Sequence, residues 1–142
     1  MNIAEDYRPL ILVAEDDESN FKLIKAIIGK KCEIIWAKNG EEMVNNYREY
    51  KDKVAAMLMD IKMPVMNGLD ATVMIRQEGC TLPIIMQTAY AFSSDRENAM
   101  KCGASEVLVK PITLGVLRDC LSRFLPDLKW RKSSLLYIRK GC

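Results

Sequence analysis

The sequence predicts an α/β fold, a doubly wound parallel sheet with helices on both faces. Short apolar runs rich in strand-forming residues alternate with segments of helical spacing, and this alternation repeats five times. The chain has 142 residues, of which 49% are hydrophobic, enough for one buried core and too few for two ordinary domains. We therefore expect a single domain built from five strand-helix units.

The first half of the chain supplies three of the strands and two of the helices. Apolar runs predict strands at residues 10–14, 34–37 and 54–59. Ser19 is the expected N-cap of a first helix that ends at Gly29, and a turn at 39–40 precedes a second helix that ends near Tyr50. The residues expected to face the core are Phe21, Leu23, Ile24, Ile27 and Ile28 in the first helix, and Met43, Val44 and Tyr47 in the second.

The second half continues the pattern with two strands and three helices. The strands are predicted at residues 83–87 and 107–109, and the helices at 69–77, at 93–102 and from Thr113 to Pro126. Residues 63–68 have the composition of a loop, and Gly79 and Gly103 lie just past helix ends. Ser93, Ser94 and Asp95 offer helix caps, and Leu114, Leu117, Leu121 and either Phe124 or Leu125 are expected to face the core.

The composition excludes several classes of protein. The chain contains no histidine, so it has no Ser-His-Asp triad, no histidine-ligated zinc and no phosphohistidine of its own. Its five cysteines lack the spacing of metal or redox pairs, and we expect them to be reduced core residues, with only Cys142 exposed. No apolar run of about eighteen residues and no secretion signal is present. We therefore expect a soluble, cytoplasmic protein without direct membrane insertion.

The basic residues are concentrated near the C-terminus. Five basic residues and one acidic residue follow Pro126, so the total charge of +2 leaves a net charge of −2 on residues 1–125. A mildly acidic folded body argues against nucleic-acid binding through this domain, because phosphate recognition needs a basic face.

Polar residues stand at the C-terminal ends of four predicted strands. Glu15, Asp16 and Asp17 follow the first strand, Asp60 the third, Thr88 the fourth and Lys110 the fifth. In an open α/β sheet ligands bind beyond the carboxyl ends of the strands, so we expect these side chains to converge. Taken singly, the acidic triplet favours helix N-terminal charge or a solvated loop over a metal site. Lys110 and Thr88, taken singly, likewise favour an ordinary exposed lysine and an ordinary strand end.

Taken together, these residue types suit phosphoryl transfer. Asp16 with Asp60 and a water-linked Glu15 would give Mg²⁺ the carboxylate oxygens that it prefers. Asp60 is the expected nucleophile, because a carboxylate oxygen can attack phosphorus and form an acyl phosphate. Lys110 and the hydroxyl of Thr88 would stabilise the charge on the transferred group.

The motifs that contain these residues resemble the receiver domains of response regulators in two-component signalling. They are Leu12-Val13-Ala14-Glu15-Asp16-Asp17, Met59-Asp60-Ile61-Lys62-Met63-Pro64-Val65-Met66-Asn67-Gly68, Thr88-Ala89 and Val109-Lys110-Pro111. The resemblance implies a flavodoxin-like sheet with strand order 2-1-3-4-5 and a cis bond before Pro111. It also implies phosphorylation of Asp60 and switching through Thr88 and Lys110. The magnesium ligands that it implies are Asp16, Asp60, the backbone carbonyl of Lys62 and, through water, Glu15.

The resemblance also implies partners and a domain plan. A histidine kinase or histidine phosphotransfer domain would donate the phosphoryl group, so the chain is expected to be a phosphoacceptor in a phosphorelay that dephosphorylates itself, not an enzyme. Relatives also pair, which adds a weak homodimer to the expected partners. Residues 1–9 are expected to be linker, 10–125 the receiver, and 126–142 a basic tail that forms a short helix over 130–138, a basic binding strip or a disordered segment.

The wider context of the receiver leaves two alternatives. Only seventeen residues follow Leu125, so we expect either a stand-alone receiver or one cut from a longer protein. Glu15-Asp16, in place of two aspartates, resembles receivers attached to hybrid sensor histidine kinases, and we favour that origin.

One position departs from the family pattern. Val107 stands where most members have Tyr or Phe, so we expect the usual aromatic switch to be absent and the signal to pass through the loop from Ala89 to Ser93. Lys62 and Tyr90 occupy positions that in the family control the approach of water to the acyl phosphate, and they are expected to set its lifetime.

Three other functions fit these residues less well. A degenerate receiver would act as a phosphorylation-independent interaction module, but the complete set of site residues argues against it. An aspartyl-phosphate phosphatase would need an acidic residue where Lys62 stands, and nucleotide binding would need a glycine-rich loop after the first strand.

Overall fold

The computed structural model describes residues 7–90 and 93–130, in which five strands and five helices alternate along the chain. The strands are β1 (Leu10–Ala14), β2 (Glu33–Ala37), β3 (Val54–Asp60), β4 (Ile84–Thr88) and β5 (Glu106–Val109). The helices are α1 (Glu18–Ile28), α2 (Gly40–Tyr50), α3 (Gly68–Gln77), α4 (Ser93–Cys102) and α5 (Leu114–Phe124). The strands pair in parallel in the order β2-β1-β3-β4-β5, which confirms the predicted fold class and strand order.

The sheet separates two apolar layers. On one face α1 and α5 pack through Ile24, Ile27, Ile28, Leu117, Cys120 and Leu121. On the other face the packing residues are Met43, Val44 and Tyr47 of α2, Ala71 and Ile75 of α3, and Ala99 of α4. Because both faces of the sheet are covered, its central strands are continuous apolar runs, and these runs are what made the strands predictable from sequence.

The start of α1 differs from its prediction. Asp17 and not Ser19 is the N-cap, because its Oδ1 accepts the backbone N–H of Ser19 at 2.8 Å and that of Asn20 at 3.4 Å. A carboxylate at this position also interacts favourably with the helix dipole, which a serine hydroxyl does only weakly.

Two residues predicted to lie in the core are exposed. Leu23 is 43% exposed and Leu114 is 50% exposed, so the buried stripe of each helix is narrower than predicted. Leu23 lies about 100° around α1 from Ile24, at the margin of the stripe that the sheet covers, and Leu114 is the first residue of α5.

The cysteines within the described residues agree with their prediction. Cys32, Cys80 and Cys120 are buried, Cys102 is half-buried, and all four are free thiols. The peptide bond between Lys110 and Pro111 is cis, as the family resemblance implied. The expectation for Cys142 lies outside the described residues.

Segments on both sides of the βα units pack onto them. The Arg8 guanidinium donates hydrogen bonds to the carbonyls that follow α1, and Leu128 is buried beside α5. Trp130 donates its indole N–H to Ser122 Oγ at 2.9 Å. The predictions for residues 1–6 and 131–142, including most of the tail helix, lie outside the described residues. In the described part of the chain, no helix has the length and apolar character needed to cross a bilayer.

Val65, in the loop between β3 and α3, has a strained backbone. Its φ is +68°, a left-handed conformation that β-branched residues rarely adopt, and the residue is 76% exposed. The loop is held in place by hydrogen bonds from Met66 N to Pro64 O at 2.7 Å and from Gly68 N to Ile61 O at 2.8 Å. Because the Val65 side chain is exposed, its burial does not offset the backbone strain.

Val65→Asn should raise the free energy of unfolding by about 0.5–1 kcal/mol, because Asn tolerates positive φ and the exposed valine loses little packing. Urea denaturation of the two proteins measures the difference. Val116→Asn, at a half-exposed position within α5, is the matched control and should not stabilise the chain. Equal shifts of the two urea midpoints would contradict this explanation.

Candidate functional site

The C-terminal ends of β1, β3, β4 and β5 form one edge of the sheet, and the predicted site residues lie there. Glu15 follows β1, Asp60 ends β3, Thr88 ends β4 and Lys110 follows β5. The order of the strands brings the residues from β1 and β3 side by side. Polar groups thus gather where apolar strands end, which is the usual location of ligand sites in open α/β sheets.

Three carboxylates converge at this edge. One oxygen from each of Glu15, Asp16 and Asp60 lies within 4.8 Å of the others. Glu15 is fully buried, Asp60 is 6% exposed and Asp16 lies at the surface, so the cluster opens to solvent on one side. An all-oxygen set of this kind matches the ligand preference of a hard divalent cation such as Mg²⁺.

Lys110 provides the positive charge that faces these acids. Its Nζ lies 2.8 Å from Asp60 Oδ2 and 3.2 Å from Glu15 Oε1. Burial by itself would lower the pKa of Lys110, but the hydrogen bond and charge of Asp60, followed by those of Glu15, raise it above its ordinary value. The lysine is therefore charged at neutral pH.

Glu15 is the member of the cluster whose pKa is raised. Burial and the neighbouring Asp60 carboxylate raise the pKa of Glu15 from 4.5 to about 7, although the Asp17 backbone N–H and Lys110 oppose the rise. The ionised form of Glu15 is thus held at a cost that a bound cation would reduce.

The hydroxyl of Thr88 has a partner that the sequence did not indicate. Thr88 is 4% exposed, and its Oγ1 donates a hydrogen bond to Asp95 Oδ2 at 3.1 Å while accepting one from the Tyr90 backbone N–H at 3.1 Å. Asp95 was predicted only as a helix cap, and it lies in the first turn of α4. The position of Asp95 at the start of a helix predicted a cap. The sequence did not predict its contact with Thr88, because that contact depends on how α4 lies against β4.

Lys62 and Tyr90 lie together at the edge of the site. The Lys62 ammonium stands 4.4 Å from the centre of the Tyr90 ring, a cation–π contact, and both residues are exposed. The loop that carries Lys62 returns closely over Asp60, since a Cβ on Gly68 would collide with the Asp60 carbonyl oxygen. The structure thus brings Glu15, Asp16, Asp60 and Lys110 into one cluster, with Thr88 and Lys62 oriented to separate partners.

A sequence model of the family described as the response regulator receiver domain matches residues 11–122. The chain belongs to this family. The receiver is 38% identical over 120 residues to hybrid signal transduction histidine kinase I of Dictyostelium discoideum, which covers 79% of this chain and 7% of that protein. It is 30% identical over 128 residues to sensor histidine kinase RcsC of Escherichia coli (strain K12), covering 88% of this chain and 13% of that protein. The chain therefore spans a small part of the curated relatives that it matches.

Solved structures resemble the receiver over most of its length. One is a chain in the co-crystal structure of the Saccharomyces cerevisiae histidine phosphotransfer protein Ypd1 with the receiver domain of Ssk1; it has a TM-score of 0.76 and 27% identity and covers 82% of this chain and 88% of that one. Another is the receiver domain of sensor histidine kinase PA1611 from Pseudomonas aeruginosa PAO1, with a magnesium ion coordinated in its active site cleft. Its TM-score is 0.76 and its identity 31%, and the match covers 84% of this chain and 98% of that one.

The raised pKa of Glu15 predicts how stability depends on pH when no divalent cation is present. Between pH 4.5 and about 7 the folded state binds more protons than the unfolded state, so the free energy of unfolding falls as pH rises through this window. Glu15→Gln should remove this fall and be more stable than the wild type at pH 8 by roughly 1–3 kcal/mol.

Urea denaturation at pH 5 and pH 8 in EDTA measures this difference. Glu78→Gln is the control, because Arg48 lowers the pKa of Glu78 and its contribution is already complete above pH 4.5. The wild-type fall should persist in the control and shrink on addition of Mg²⁺. A wild-type stability that is unchanged between pH 5 and pH 8 would contradict the account.

Proposed function

We propose that this receiver accepts a phosphoryl group on Asp60 from a phosphohistidine of a separate domain or protein. The observation that carries the proposal is the buried Asp60 carboxylate, which contacts Lys110 at 2.8 Å and shares its pocket with two further acids. The 142 residues contain no histidine, so the donor histidine belongs to a different segment or chain.

The chemistry follows from the positions of Asp60 and Lys110. An oxygen of the Asp60 carboxylate forms a bond to phosphorus while the bond between phosphorus and the donor imidazole breaks, and the imidazole leaves with the bonding electrons and takes up a proton. The Lys110 ammonium stabilises the negative charge of the transferred group. Water later hydrolyses the acyl phosphate and restores Asp60, so the chain acts as a self-dephosphorylating acceptor and not as a conventional enzyme.

We include Mg²⁺ as the cofactor of the site. The converging oxygens of Glu15, Asp16 and Asp60 support this choice, with Asp16, Asp60 and the Lys62 carbonyl as ligands and Glu15 acting through water. When bound, the ion would neutralise negative charge on the phosphoryl oxygens.

The proposed partner is a histidine kinase or a histidine phosphotransfer domain. The solved complex of Ypd1 with the Ssk1 receiver supports this partner by similarity, and the two kinase relatives support a role in a hybrid-kinase phosphorelay. Free cysteines suit a reducing compartment and support a cytoplasmic location. A weak homodimer remains a prediction.

The switch that we propose uses the hydroxyl of Thr88. A hydroxyl has one proton to donate, and in the unphosphorylated protein Thr88 donates it to Asp95. Donation to a phosphoryl oxygen on Asp60 requires Thr88 to leave Asp95. The hydrogen bond between Thr88 and Asp95 therefore stabilises the unphosphorylated conformation.

We propose that Lys62 and Tyr90 set the lifetime of the acyl phosphate. The cation–π contact between these two exposed side chains, each two residues beyond Asp60 or Thr88, supports this proposal, because the pair would limit the access of water to the acyl phosphate. The complete acidic set, with Lys110 in contact, disfavours the alternative of a phosphorylation-independent interaction module.

Intact-mass measurement after incubation with acetyl phosphate and Mg²⁺ tests the function. The wild type and an Asp52→Asn control, changed at an exposed position, should gain one phosphoryl group, and Asp60→Asn should gain none. The adduct should decay at a changed rate in a Lys62→Ala, Tyr90→Ala variant. A wild type that gains no phosphoryl group would favour the interaction module, and a gain that survives in Asp60→Asn would place the acceptor elsewhere.

Asp95→Ala should tighten binding of beryllofluoride, a phosphoryl mimic, by about threefold to tenfold, because Thr88 no longer has to give up a hydrogen bond. Titration followed by the amide signals of Thr88 and Ala89 measures the affinity. Removing a negative charge would also favour an anion, so the matched test repeats Asp95→Ala in a Thr88→Val background. An equal gain in both backgrounds would refute the switch.

A further inference from the structure

Trp36 on β2 contacts the backbone of the acidic cluster. Its indole Nε1–H donates a hydrogen bond of 2.7 Å to the carbonyl oxygen of Glu15. The N–H of Glu15 donates in turn to the Ala37 carbonyl at 2.9 Å, so adjacent residues of β2 hold both polar groups of the Glu15 backbone. β2 ends at Ala37, and the next amide, that of Lys38, donates to Glu42 Oε1. A side chain and not the next backbone amide therefore serves the Glu15 carbonyl.

The indole is itself held in place by two other contacts. It stacks on Phe21 of α1 with ring centres 4.2 Å apart and planes 3° from parallel. The Lys38 ammonium lies over the Trp36 ring, 5.3 Å from its centre. Trp36 thus contacts both ends of the segment that connects β1 to α1, the carbonyl of Glu15 at its start and the ring of Phe21 in the first turn of the helix.

We propose that Trp36 is a positioning residue for the divalent-cation site, because its indole N–H fixes the peptide between Glu15 and Asp16 and thereby places the Asp16 carboxylate beside Asp60. The inference rests on the proposed function and assigns a new role within it. Trp36 acts through the Glu15 backbone and touches neither the cation nor the phosphoryl group.

The Asp16 carboxylate needs such positioning more than its neighbours do. Glu15 and Asp60 are buried and share Lys110, whereas Asp16 is exposed. Repulsion from the two buried acids favours conformations in which Asp16 points into water. Fixing the peptide that precedes Asp16 limits those conformations, and a ligand held in place before binding loses less entropy when the cation binds.

Trp130 provides a matched control, because it is the second of two tryptophans in the chain and lies away from the site. Its indole N–H donates to Ser122 Oγ at 2.9 Å and to the Arg118 carbonyl at 3.2 Å, and its ring contacts the Arg118 guanidinium. Trp36→Phe and Trp130→Phe therefore remove the same kind of donor from a half-buried ring. A general loss of stability would follow from either substitution, but only the first should affect the acidic cluster.

The experiment is a Mg²⁺ titration of the ¹⁵N-labelled full chain at pH 7.5, followed by the amide signals of Asp16 and Asp60. Trp36→Phe should weaken Mg²⁺ binding roughly threefold to tenfold, as expected for the loss of one hydrogen bond, and Trp130→Phe should stay within about twofold of the wild type. In the wild type, the Trp36 indole N–H signal should shift with the same midpoint as the Asp60 amide. The Trp130 indole signal should not shift.

The outcomes separate this inference from the proposed function. Wild-type affinity in Trp36→Phe, or equal weakening in both variants, would overturn the role of Trp36 and leave the cation site intact. If Trp36→Phe fails to fold, the wild type still tests the role, and a Trp36 indole N–H signal that does not shift when Mg²⁺ is added would overturn it. A wild type that takes up no Mg²⁺ would overturn the cation site and the role together.

Discussion

The ion pair between Lys110 and the two buried acids, Glu15 and Asp60, is the interaction on which the rest of the site depends. Taking a carboxylate out of water costs several kcal/mol unless a charge or hydrogen bond compensates it, and here two carboxylates are buried together. The Lys110 ammonium lies within 3.2 Å of both and compensates them in the absence of a metal ion. The elevated pKa of Glu15 shows that the compensation is incomplete. The remaining electrostatic cost would favour the binding of a further positive charge at the site.

The fold supplies this arrangement through strand order and loop geometry. Asp60 and Lys110 come from β3 and β5, which are separated by β4, and the Lys110 backbone N–H bonds to the Thr88 carbonyl at 2.7 Å. The lysine is thereby fixed to the strand that carries the threonine. On the other side, Gly68 allows the loop after β3 to return against the Asp60 backbone, where a side chain would collide. The polar residues at the strand ends thus form one site because backbone hydrogen bonds and close loop packing hold these ends together.

The accuracy of the sequence predictions depended on how local each feature was. The five strands were predictable because a sheet covered on both faces requires apolar runs, and the residues at the strand ends were predictable because the edge of such a sheet binds ligands. The predicted N-cap of α1 was wrong because Asp and Ser are both good N-cap residues, and which of the two caps the helix depends on where its first turn closes. Asp95 and Trp36 were missed for a different reason. Trp36 meets Glu15 across two neighbouring strands, and Asp95 meets Thr88 across the connection from β4 to α4. Both contacts depend on how the elements pack, and neither residue type carries a signal for the partner that it meets.

Val107 stands where the family resemblance leads us to expect an aromatic residue, and this difference would change where a switch can reside. A phosphoryl signal needs an element with two arrangements, and Val107 is a small residue that is 5% exposed and packed in the layer of α2, α3 and α4. The hydroxyl of Thr88 does have two arrangements open to it, because it has one proton and, on the proposed mechanism, two competing acceptors. One of these acceptors, Asp95, belongs to α4. The start of α4 is therefore hydrogen-bonded to β4 only while Thr88 donates its proton to Asp95. The next residue, Arg96, donates hydrogen bonds to Glu106 and to the Val107 carbonyl, and these bonds would keep α4 attached to β5 after the Thr88–Asp95 bond breaks. Release of Asp95 would therefore pivot α4 on Arg96 and alter the surface that α4 shares with β5, where Met100 and Val109 are exposed. On the proposed mechanism the switch would be a change of hydrogen-bond partner at the start of α4, and it would not require an aromatic side chain on β5.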